Sequence, residues 1–192
     1  LALANASREV LRIGDIVRVM LDNVSDLLRR NDLAVARETM RMDDDVDQLY
    51  AEVKSYLTLI SREQLDEAES RRWTDIISLT INLEHAGDII ERIVSDIEEK
   101  KISQRLAFSE QGLGELDDLH ARLVSNLRLG LSVFLNNDLR CAEQLLAEKE
   151  RFRDLERAYS HKHLDRLAGQ SMRSMETSAL HLDLIGNMKR LN

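Results

Sequence analysis

No proline occurs anywhere in these 192 residues, and only seven are glycine. Sheet-rich folds need turn residues about every ten positions. A chain this poor in them is confined to long helices with few breaks. A charged fraction of 32% beside a 43% apolar fraction agrees with an all-α class.

Apolar residues recur at helical spacing in six stretches. The first covers about 7–30, with Val10, Ile13, Val17, Leu21, Val24 and Leu28 as its stripe. Asn31-Asp32 is an N-cap signal for the second, which reaches about 61. The third is expected over 65–102. Residues 103–115 hold the close pair Gly112 and Gly114 and read as a linker. A fourth helix covers 115–135, a fifth is capped by Asn137-Asp138 and runs to 168, and a sixth runs from 171 to the end.

The pattern repeats. At an offset of about 106, Ala36 meets Ala142, Val46 meets Phe152 and Leu49 meets Leu155. At an offset of about 99, the segment 83–88 meets 182–187. The fold expected is two tandem three-helix bundles made of six long antiparallel helices. Residues 1–103 form the first repeat and 114–192 the second, each around its own core.

A net charge of −8 disfavours nucleic acid as a partner. The lone cysteine, Cys141, excludes an internal disulfide and reads as a buried structural thiol. No run approaches the length of a membrane span. The chain opens on Leu1 inside a helical pattern and ends on Lys189-Arg190-Leu191-Asn192, so a piece of a longer protein is expected.

One group of side chains does not fit a plain bundle. Glu84 and Asp88 lie one turn apart at the margin of an apolar stripe on the third helix, and Asp43 and Asp47 do the same on the second. If these helices are antiparallel neighbours, four carboxylates converge. Their repulsion calls for raised pKa values, an internal cation, or a bound metal. Oxygen ligands suit magnesium, manganese, calcium or iron, and discriminate poorly among metals, zinc included. Asp44 and Asp45 point elsewhere and read as solvated. His85 points about 100° from Glu84 and is expected outside the site. Arg12, Arg41 and Arg92 are the available internal cations, so a salt-bridge network is the alternative.

In the second repeat the equivalent positions are Lys149, Arg153, Asp183 and Asn187. Two acids have become bases and one has become neutral. The expectation is an ion pair of Lys149 and Arg153 with Asp183 in place of a metal. No nucleophile motif or glycine-rich phosphate loop is present. A carboxylate-bridged metalloenzyme lacks inward histidines. Trp73 reads as core or inter-repeat packing.

A doubled three-helix unit with these segments, 43–49 and Leu83-Glu84-His85-Ala86-Gly87-Asp88-Ile89-Ile90-Glu91, resembles the PhoU family of bacterial phosphate-uptake regulators. Lys149, Arg153, Glu156, His163 and Arg166, followed by 176–185, are most similar to one branch of it. That branch is the C-terminal PhoU-like domain of bacterial Na⁺/phosphate cotransporters. The resemblance implies a non-enzymatic regulatory domain at the cytoplasmic face of the inner membrane, which modulates phosphate transport. It implies metal binding at Asp43, Asp47, Glu84 and Asp88, by iron, manganese, magnesium or zinc. The implied partner is the membrane transporter portion of the same polypeptide, or a transporter or sensor complex, and a homo-oligomer is compatible with it. A structural or partner-binding helical module is the competing expectation.

Overall fold

The computed structural model describes residues 2–61, 64–168 and 177–192. Its elements are α1 (Ala2–Arg29), α2 (Leu33–Ile60), α3 (Glu67–Ile97), α4 (Glu110–Asn136), α5 (Leu139–Ala168) and α6 (Ser178–Leu191). No strand occurs among the described residues. The expected start of the sixth helix at 171 lies outside them, as does Leu1.

Local chemistry sets the helix ends. The Asp32 carboxylate accepts from the amides of Ala34 and Val35 at 3.0 and 3.1 Å. Asp66 and Glu69 form a reciprocal capping box at the start of α3. Asn137 takes the left-handed conformation that ends α4, and Asp138 caps α5 through the Arg140 amide. Two expectations shift. The long third helix does reach Ile102, but its last five residues, Glu98–Ile102, wind as a π-helix. Gly112 and Gly114 lie inside α4, because the Ser109 hydroxyl accepts from the Gly112 amide and starts the helix early.

The π turn delivers Lys101 inward. This lysine is 1% exposed. Its Nζ donates to the Leu27 carbonyl at 3.0 Å and to Asn31 Oδ1 at 2.7 Å. It therefore closes the C-terminal end of α1, where the helix dipole favours a cation. Burial draws its pKa down.

Within each repeat the three helices pack on one another, and α1 also packs on α4 and α3 on α6. The buried apolar side chains form one continuous cluster rather than two separate cores. It runs from Val10 and Ile13 of α1, through Ile90 of α3 and Leu119 of α4, to Leu184 of α6. Polar links cross between the repeats as well. Arg29 pairs with Asp117 at 2.7 Å, Lys100 with Asp183 at 3.1 Å, and His120 Nε2 meets the Leu21 carbonyl at 2.6 Å.

Trp73 is half-buried and donates from Nε1 to the Leu57 carbonyl at 2.9 Å. It staples α3 to α2 within the first repeat. Cys141 is not buried in a core. It lies half-exposed at the start of α5, with Sγ 3.4 Å from Asp138 Oδ2, because it belongs to the capping turn.

Candidate metal centre

α2 and α3 are neighbours in the first repeat. Their contact brings one oxygen from each of Asp43, Asp47 and Asp88 within 4.8 Å of the others. Asp43 is 5% exposed, while Asp47 and Asp88 open to solvent. The cluster is thus a shallow cup with one buried carboxylate at its floor.

Gly87 makes that floor. A Cβ at this position would lie 2.6 Å from Asp43 Oδ1. Only a residue without a side chain lets the α2 carboxylate rest against the α3 backbone. That same Oδ1 is buried and has no hydrogen-bond partner. An orphaned buried carboxylate oxygen is costly.

The electrostatics are one-sided. Burial pushes Asp43 up to about 7, and Glu91, Asp47, Asp88 and Asp44 push in the same direction. Burial and Asp88 raise Asp47. Glu84 is raised by burial and Asp88, with His85 and Lys54 only partly opposing. Among the described residues no lysine or arginine pairs with Asp43, Asp47, Glu84 or Asp88. Arg12 is engaged by Glu9 at 2.8 Å and Arg41 by Glu38 at 2.6 Å. The salt-bridge alternative for this cluster therefore fails on geometry.

Three of the four expected residues meet. Glu84 stands beside them, half-buried, with Oε2 3.5 Å from His85 Nε2, outside the three-carboxylate group. His85, Asp44 and Asp45 are exposed, as their helical angles require. Glu91 contributes the strongest neighbouring charge on Asp43. The spacing of Asp88 and Glu91, three residues apart, carried that signal.

The donor set fits a hard cation. It consists of carboxylate oxygens from two helices, one of them without any other partner, on a rigid scaffold. Asp43, Asp47 and Asp88 would hold the ion, and Glu84 and Glu91 lie within one turn of it. A cation there would supply the positive charge the cluster lacks.

The second repeat is arranged differently from expectation. Asp183 pairs with Lys100, and Arg153 with Glu150 at 2.7 Å, an (i, i+3) neighbour on its own helix. The expected pairing of Lys149 and Arg153 with Asp183 is not formed among the described residues. Lys149 instead faces a cleft between the repeats, and Asn187 is buried. The polar interior of this repeat lies elsewhere. Glu115 of α4 receives a bidentate fork from Arg166 at 2.7 and 2.9 Å. His163 and His181 stack beside it with ring centroids 4.2 Å apart. Three different helices supply this group, so no single-helix spacing announces it.

Residues 10–97 match the family model described as the PhoU domain. The whole chain is 48% identical to a Salmonella typhimurium protein named "Putative inorganic phosphate export protein YjbB" and 47% identical to its Escherichia coli counterpart. It spans 35% of the length of each. A crystal structure of PhoU from Pseudomonas aeruginosa superposes with a TM-score of 0.90 at 15% identity, over 99% of this chain and 90% of the other. The phosphate transport system regulatory protein PhoU from Streptococcus pneumoniae gives 0.83 at 18% identity, over 98% and 87%. These two structures share the fold.

Proposed function

We propose that this chain, whose residues 10–97 match the PhoU domain model, is a PhoU-family regulatory domain, non-enzymatic, that binds metal and modulates phosphate transport. The observation that carries the metal reading is the orphaned, buried Asp43 oxygen held against Gly87 and faced only by other carboxylates. Asp43, Asp47 and Asp88 would hold an iron, manganese, magnesium or zinc ion, whose positive charge would offset that repulsion.

The transport reading is supported by the relatives' printed name, "inorganic phosphate export protein", and by the chain matching about a third of their length. The domain then acts on the membrane transporter portion of the same polypeptide, or on a transporter or sensor complex, at the cytoplasmic face of the inner membrane. No described helix is long and apolar enough to cross a membrane.

Elemental analysis and calorimetric titration of the tag-free chain test the metal. Stoichiometric binding that disappears in the Asp43→Asn/Asp88→Asn double variant is expected. Retained stoichiometry in that variant overturns the assignment. Phosphate efflux from cells carrying the same substitutions in the longer parent protein tests the regulation, and an unchanged efflux counts against it.

A further inference from the structure

A cleft of about 730 Å³ lies between the two repeats, beside the metal centre, with which it shares Asp88. Arg92 of α3, Lys149 of α5 and Arg190 of α6 all line it. None of the three makes an ion pair among the described residues. In a chain carrying eight excess negative charges, three unpaired cations drawn from three helices are a strong local reversal of sign. Asp88 is the single carboxylate on the wall, so two positive charges remain uncompensated.

Two guanidinium groups and an ammonium lining one cleft suit an anion with several oxygens directed outward. A carboxylate has two oxygens, which one fork already satisfies. A phosphate group carries about −1.5 to −2 at neutral pH and three or more acceptor oxygens. It matches both the residual charge and the donor count. The cleft also continues into an apolar recess of about 180 Å³ that shares Ala86, Lys149 and Leu191 with it. We infer that the inter-repeat cleft lined by Arg92, Lys149 and Arg190 binds a phosphate group, either as free inorganic phosphate or as a phosphate ester whose apolar part enters the recess. Because the ligand touches both repeats, its binding fixes their relative position.

The cleft shares Asp88 with the metal centre, and the test keeps the two readings apart. Chelator-treated chain is titrated calorimetrically with inorganic phosphate, hexyl phosphate and sulfate. Saturable binding of either phosphate compound is expected, at least about tenfold weaker in Arg92→Gln/Lys149→Gln and unchanged in Arg41→Gln, a surface control. Tighter binding of hexyl phosphate identifies an ester as the ligand, and tighter binding of inorganic phosphate identifies the free anion. Four results overturn the inference. They are no saturable binding at millimolar concentration, equal affinity for sulfate, affinity unaffected in the double variant with its helicity retained, and binding that appears only on metal loading and vanishes in Asp43→Asn.

Discussion

Asp43 Oδ1 lies where a side chain on Gly87 would begin, 2.6 Å from the position its Cβ would take. An acid on one helix and a missing side chain on the next are therefore two parts of one device. Gly87→Ala tests it. Alanine favours a helix interior over glycine by about 1 kcal/mol, so a neutral site would gain stability. Here we expect a net loss in thermal denaturation and at least about tenfold weaker metal binding, because the methyl group displaces the carboxylate. A stabilised variant with unchanged affinity would show that the close approach is unimportant.

The raised Asp43 pKa makes the metal-free protein sensitive to pH in an unusual direction. The folded value of about 7 exceeds the ordinary carboxylate value of 3.8. The folded state therefore holds this proton more tightly than the unfolded state. A destabilising contribution builds as pH rises from about 4 to about 7 and stays constant above that. Its size is of the order of 2–4 kcal/mol. Asp43→Asn is expected to stabilise the chelated protein at pH 8 and to leave it unchanged near pH 4, as read by urea denaturation at both values. Equal effects at both would refute the argument.

His181 works in the opposite sense. Burial and the neighbouring His163 hold it down at about 4, below the usual 6.5. The unfolded chain takes up a proton between those values and the folded chain does not. Stability is thus full above pH 6.5 and is lost as pH falls towards 4. In His181→Gln the slope of melting temperature against pH over that window should flatten, which differential scanning at half-unit steps will measure. An undiminished slope would place the acid sensitivity elsewhere.

Glu115 is 6% exposed and satisfies both arms of Arg166. Glu115 is the buried member and Arg166 is half-buried, so removing the arginine strands a buried charge. Glu115→Ala is expected to cost about 3 kcal/mol in denaturant unfolding, and Arg166→Ala about as much. The double replacement Glu115→Leu/Arg166→Met should cost less than either single change. If each single variant loses under 1 kcal/mol, the fork is not a structural element.

Much of this architecture was legible because helices announce themselves locally. The stripe of Val10, Ile13 and Val17, and the caps at Asp32 and Asp138, are decided within a few residues. The α2–α3 acids were legible for the same reason, since Asp43 with Asp47 and Glu84 with Asp88 each share one helical row. What pattern could not supply is tertiary. Glu84 belongs to the right row but stops short of the group, and Gly87 reveals its role only against another helix. Lys100, not Lys149, reaches Asp183, and Lys100 lies in the π-helical segment Glu98–Ile102, which apolar periodicity does not announce. Glu115, His163 and His181 come from three helices, and nothing within a single stretch connects them.

The lysine clasp at Lys101 has a mechanical consequence. It joins the end of α1 to the segment that leaves for the second repeat. A pull on that exit loads the ammonium's bonds to Leu27 and Asn31. Force arriving from α4 is therefore delivered to the tip of α1, tens of residues away in the chain. Beside the Arg29–Asp117 pair, the clasp makes that junction less like a flexible joint than like a latch with two charged teeth.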